Sequence, residues 1–184
     1  YQAGLKLLRS GARLIVTTRF PRNAARRYAQ EPDFGEWSGR LEIVGLDLRH
    51  VSSVEAFCRH MDASEARLDF LINNACQTVR RPPEFYAHMM ADELSAAHEL
   101  PAHVRRLIGE SPSGPAPMTA SGALSAQLSQ VRLLEEEFGD QSSAFPAHHL
   151  DEDQQQIDRR DSNSWRMLLA DVPTVEMLEV QLVN

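Results

Sequence analysis

The sequence predicts an α/β fold built on a parallel sheet. Three observations predict it. Apolar, β-branched runs alternate with helix-patterned segments over the first 76 of 184 residues, in the order helix, strand, helix, strand, helix, strand. The run Leu68-Asp69-Phe70-Leu71-Ile72 is near-continuously apolar, as in a strand buried on both faces. Each apolar run ends in polar residues suited to ligand contact: Thr17-Thr18-Arg19, Asp47-Leu48-Arg49 and Asn73-Asn74. Right-handed crossovers bring such ends to one edge of a sheet, where open α/β folds bind ligands.

Residues 1–9 carry Leu5, Leu7 and Leu8 between Lys6 and Arg9, a helix pattern, and Gly11 suits the left-handed residue that ends it. Leu14–Thr18 reads as the first strand, broken by Arg19-Phe20-Pro21. Residues 22–30 read as helix, with Arg22, Arg26 and Arg27 in the turn region after the strand, and Pro32–Gly39 as a loop containing Trp37. Leu41–Leu46 is the second strand. Val51–Met61 is a helix with Ser52 or Ser53 as its cap and Val54, Phe57, Cys58 and Met61 on one face. Leu68–Asn74 is the third strand.

After Arg81 the pattern changes. Pro82-Pro83 opens a helix through Met90 or beyond, and 111–117 is a Pro/Ser/Gly loop. Ala123–Phe138 has helical spacing at Leu124, Leu128, Val131, Leu134 and Phe138, with Glu135-Glu136-Glu137 as a solvated face. Residues 140–162 are polar and expected to be irregular. Pro173–Asn184 reads as a well-buried helix opening near its proline. The expected organisation is 1–81 as ligand-binding βα units, 82–162 as an acidic insertion, and 163–184 as a return to the α/β core.

The net charge of −7 is unevenly spread. Residues 1–81 hold 13 Lys and Arg against 9 Asp and Glu, a balance of +4; residues 82–184 hold 6 against 17, a balance of −11. The first part suits a phosphate-bearing ligand and the second a solvated surface. No basic stripe with interleaved aromatics points to nucleic acid, and no apolar run reaches membrane-span length. Cys58 and Cys76 make neither a disulfide framework nor a metal site, so no metal is expected and a reducing cytoplasm is the default. His148-His149 reads as a surface pair, and Cys76 as a small buried residue. The start, Tyr1-Gln2-Ala3-Gly4, has neither Met nor the pattern of a signal peptide, as in a chain cut from something longer.

The run Asn73-Asn74-Ala75-Cys76 resembles the Asn-Asn-Ala-Gly motif of the short-chain dehydrogenase/reductase family, with Cys in place of Gly. The resemblance covers 1–76 and, loosely, 163–184. It implies a Rossmann-like, doubly wound parallel sheet, incomplete at both ends and carrying a mostly helical and irregular insertion. It also implies hydride transfer between a nicotinamide cofactor and a small carbonyl or alcohol substrate. By the same resemblance Asp47 and Leu48 contact adenine, Asn74 and Ala75 line the cofactor, and Asn184 matches an Asn that helps hold a proton-relay water. Asp47 equally suits a cap for the following helix. Arg19 stands where nucleotide-binding α/β folds hold the ribose: an acidic group there binds the diol, whereas Arg accommodates a 2′-phosphate through its two-pronged fork. Arg19 equally suits a surface turn. Read with Arg22, Arg26 and Arg27, and with no Asp or Glu from Arg13 to Gln30, it points to NADP over NAD.

The family's Gly-rich motif and its Tyr-x-x-x-Lys are absent from these residues, and Lys6 is the sole lysine. The chain alone is therefore expected to be catalytically inactive, and the complete protein to be a homo-oligomer. The rival reading is a non-catalytic nucleotide-sensing or protein-interaction module.

Overall fold

The computed structural model describes residues 1–94, 100–108, 125–152 and 154–184. They form a mixed α/β structure with one two-stranded parallel sheet, divided into two compact units. The first unit is Tyr1–Asp47 with Met89–Leu128, and the second is Leu48–His88 with Ser129–Asn184. These units follow different lines from the three segments of the sequence reading.

In the first unit α1 (Gln2–Arg9) buries Leu5 and Leu8 and stops at Gly11, whose φ of 92° is the left-handed value expected of it. β1 (Leu14–Thr18) leads into α2 (Pro21–Ala29), α3 (Phe34–Trp37), a 3₁₀ turn at Ser38–Arg40 and β2 (Leu41–Gly45). The expected loop around Trp37 is thus partly helical. A Trp ring is a large apolar surface, and here it is buried edge-on to Phe34 and Tyr28, at ring separations of 5.4 and 6.0 Å. β1 and β2 pair in parallel from Leu14 opposite Leu41 to Thr18 opposite Gly45. The core around them is Leu5, Leu8, Tyr28, Trp37 and Ile43, joined by Leu100, Val104, Leu107 and Ile108 from a later stretch that includes α6 (Ala102–Leu107). These residues lie in the region expected to be an acidic insertion; their apolar side chains draw that part of it into the first core.

The second unit begins with α4 (Val51–Ser64), which runs one turn longer than expected. His50 takes its cap position, and Ser52 and Ser53 lie in the first turn, with Ser53 Oγ 2.6 Å from His50 Nδ1. Val54, Phe57 and Met61 are half-buried, while Cys58 is exposed. The expected third strand does not form. Leu68–Asn74 has no ladder partner, and Phe70 is 85% exposed. A strand is held by the ladder it shares with a partner, and this run has none among the described residues. Cys76, expected to be buried, is exposed.

A 3₁₀ turn at Pro83–Tyr86 leads into α5 (Ala87–Leu94), as the two prolines suggested; α5 crosses from the second unit into the first at Met89. Phe85 and Phe145 meet edge to face at 6.1 Å, with Arg81 over one ring and Arg160 over the other. Asp158 pairs with both Arg81 and Arg160. The polar stretch 140–162 is irregular apart from an antiparallel bridge between Leu150 and Gln156. The expected loop at 111–117, and Leu124 of the expected helix 123–138, lie outside the described residues.

That helix is not continuous. Residues 125–128 are helical, Leu134 is extended, and Glu135–Phe138 is a 3₁₀ turn. Glu137, expected in a solvated face, is buried: its carboxylate accepts from the amides of Leu133 and Leu134, which an α-helix would bond to carbonyls, and from buried Arg80. α7 (Thr174–Val183) is where expected but is not the well-buried helix expected, since only two of its residues are buried. It buries Glu176 and Glu179 and exposes Leu178 and Leu182: the Glu179 carboxylate accepts from the buried Arg80 guanidinium and the Glu176 carboxylate from the Arg80 amide, and buried polar groups need such partners.

Candidate functional site

The carboxyl ends of β1 and β2 lie side by side. Thr18 stands opposite Gly45, and the Leu46 N–H donates to the Thr18 carbonyl at 2.8 Å, which prolongs the ladder by one step. Arg19 and Asp47 therefore leave neighbouring strands at the same edge. Arg19 is half-buried, its guanidinium 5.6 Å from the Phe20 ring. Asp47 is buried. A cation and a carboxylate at adjacent parallel strand ends can recognise a ligand carrying both an anion and a hydrogen-bond donor.

The turn between β1 and α2 is tied down by residues far along the chain. Ser125 Oγ donates to the Arg19 carbonyl at 2.8 Å. Glu93, on α5, accepts from the Asn23 amide at 2.8 Å and the Arg22 amide at 3.3 Å, in the first turn of α2. Asp92 pairs with Arg26 at 3.3 Å. No acidic residue occurs near Arg19 in sequence, but folding brings two carboxylates to the helix that follows it. Burial pushes the Glu93 carboxyl up to about 7, against the two amide bonds and Arg22, which pull it down; Asp92 adds to the rise.

In the second unit Leu48 is half-buried, and Asn74 and Ala75 are exposed. The Asn74 amide bonds back to the Ile72 carbonyl at 3.1 Å, a tight local turn rather than a ladder. Asn184 meets the chain just beyond them. Its Oδ1 accepts from the Gln77 N–H at 3.0 Å and its Nδ2 donates to the Gln77 carbonyl at 2.9 Å. The Gln77 side chain in turn donates to Glu179 at 3.0 Å, and Arg49 pairs with Glu179 at 3.0 Å. Burial alone would raise the Glu137 carboxyl, but hydrogen bonds from Arg80 and the Leu133 amide hold it below the usual carboxylate range.

The structure thus brings Arg19 and Asp47 to one edge, and Asn184 to the chain that follows Asn74 and Ala75. Among the described residues no group of three or more His, Cys, Asp or Glu could hold a metal, and His148 and His149 are exposed. No helix is long and apolar enough to cross a membrane among those residues. Sequence reading missed Glu93, Ser125, Arg80, Glu137, Glu176 and Glu179. Glu176 and Glu179 carried one signal, being three residues apart on a face of an otherwise apolar helix. Nothing in the sequence links Glu93 to Arg22.

The chain is 38% identical over 84 residues to dehydrogenase/reductase SDR family member 13 of Bos taurus, a match covering 42% of this chain and 22% of that protein. It is 41% identical over 81 residues to retinol dehydrogenase 14 of Mus musculus, covering 38% and 24%. It is 40% identical over 84 residues to uncharacterized protein R665 of Acanthamoeba polyphaga mimivirus, covering 43% and 18%. The similarity therefore spans between 18% and 24% of the length of these curated relatives. It supports a relation to the SDR oxidoreductases. No protein-family model and no solved structure matches the chain.

Proposed function

We propose that the β1–β2 edge supplies the adenosine half of a dinucleotide site in an oxidoreductase of the short-chain dehydrogenase/reductase type, with NADP preferred over NAD. The observation that carries this reading is the parallel register that sets Arg19 and Asp47 on neighbouring strand ends. The donor set fits the group. A guanidinium past β1 suits a 2′-phosphate, and a buried carboxylate past β2 suits the exocyclic amine of adenine, with Leu48 against the ring. Asn74 and Ala75 would line the cofactor farther along, and Asn184 would act through a water. When bound, the cofactor supplies hydride to, or takes it from, a small carbonyl or alcohol substrate. The protein is proposed to work in the cytoplasm, as a homo-oligomer, without nucleic acid or membrane.

The excess of acidic residues after Arg81, suited to a partner surface, supports a second reading, a non-catalytic nucleotide-sensing or protein-interaction module that binds without turnover. Titration of the protein carrying these residues with NADPH and NADH at one salt concentration tests both. A charge-assisted hydrogen bond contributes about 1.5–3 kcal/mol, so NADPH should bind about ten- to a hundredfold tighter, and Arg19→Asp should abolish that margin. Equal affinities in the wild type would refute the NADP preference. Binding with no hydride transfer to any carbonyl would favour the sensing module.

A further inference from the structure

The first turn of α2 already holds an anion, and it comes from the chain itself. α2 is nine residues long, and its first-turn amides and dipole attract negative charge. Glu93 answers that attraction with both carboxylate oxygens, at 2.8 and 3.3 Å from the amides of Asn23 and Arg22, while only 1% exposed. Its neighbour Asp92 takes up Arg26. α5 thus sets two carboxylates against the helix whose arginines, by sequence alone, were free to attract a phosphate.

We infer that Glu93 is a specificity-determining residue of the Arg19 site, its carboxylate competing with the 2′-phosphate of NADPH for the positive end of α2. The inference rests on the reading of Arg19 as the ribose end of the cofactor site. Arg19 lies three residues before the nearer of the two bonded amides, at the other end of one short turn. A second anion brought there meets the repulsion of an ionised Glu93 and finds the first-turn donors taken. The charged groups facing Glu93 are Arg22 from α2 and Asp92 from its own helix, with Arg26 reached through Asp92. Protonation of Glu93 removes the repulsion, so the competition weakens as pH falls through its value of about 7. NADH, with no 2′-phosphate, is indifferent to it.

The test measures NADPH and NADH affinity for wild type, Glu93→Gln, Asp92→Asn and Arg19→Asp, at about one pH unit above and below 7 and at constant salt. Because the 2′-phosphate also titrates near this range, variants are compared at the same pH. Above pH 7, Glu93→Gln should bind NADPH about tenfold tighter than wild type, with NADH unchanged. Below pH 7 the gain should shrink, because wild-type Glu93 is then protonated. Asp92→Asn should give a smaller gain in the same direction, and it decides the matter if Glu93→Gln fails to fold. Equal NADPH affinity of folded Glu93→Gln and wild type above pH 7, with Arg19→Asp still weakening NADPH, would overturn the inference and leave the cofactor site standing. Absence of binding of either cofactor to every folded variant would remove the Arg19 reading, and this inference with it.

Discussion

Arg80 and Glu137, 57 residues apart, form a two-point ion pair: Nε donates to Oε1 at 2.7 Å and Nη2 to Oε2 at 3.0 Å. Arg80 is 3% exposed and also donates to Glu179, while its own amide donates to Glu176 at 2.6 Å. Breaking a buried pair from one side leaves an uncompensated charge, at about 3–5 kcal/mol. Arg80→Met should therefore lower the unfolding free energy of the 184-residue chain by that amount in urea titrations. Arg80→Met with Glu137→Leu together should cost less than Arg80→Met alone. A loss below about 1 kcal/mol for Arg80→Met would show that the network is not formed.

Two carboxylates give stability opposite pH dependences. Glu93 is raised from 4.5 to about 7, so its contribution is complete below 4.5 and is lost as pH rises through 7; the loss is roughly 3 kcal/mol. Glu137 is lowered from 4.5, so its contribution is present above that value and disappears as the solution is acidified below it. Stability should thus decline from about pH 5 to pH 8, and Glu93→Gln should flatten that decline without touching the acid limb. An unchanged slope in Glu93→Gln would mean that Glu93 is not the titrating group.

Ile43 and Phe70 separate the sheet that forms from the strand that does not. Ile43 is fully buried in β2, and truncation to Ala should cost about 2–5 kcal/mol. Phe70 is a larger residue in an equally strand-like run, yet Phe70→Ala should lie within about 0.5 kcal/mol of wild type, because little of the ring is buried. A cost near that of Ile43→Ala would place Phe70 in a packed third strand.

Asn184 spends both ends of its amide on the Gln77 backbone, which makes it a positioning residue for the chain after Asn74. Asn184→Ala should speed hydrogen exchange at the Gln77 amide several-fold and cost about 1 kcal/mol of global stability. Asn184→Asp keeps the acceptor and should leave that amide closer to wild type. Identical exchange in all three proteins would argue against the clamp.

Several local elements were legible because their signals are local. β-branched runs set β1 and β2, a left-handed glycine ends α1, and a double proline opens the way to α5. Asn184 could be singled out from a resemblance, but its partner Gln77 could not, since nothing nearby in sequence names it. Whether Leu68–Asn74 becomes a strand was beyond the sequence pattern, because a strand needs a partner edge and the pattern reports only the run itself. The same holds for charge. Sequence placed Arg19, Arg22 and Arg26 in an acid-free stretch, whereas tertiary structure delivered Asp92 and Glu93 to that stretch and turned Glu137, Glu176 and Glu179 inward on Arg80. Hydrophobic periodicity assigns carboxylates to the outside by default; only the position of a buried guanidinium or an open helix end, both products of the fold, reverses that assignment.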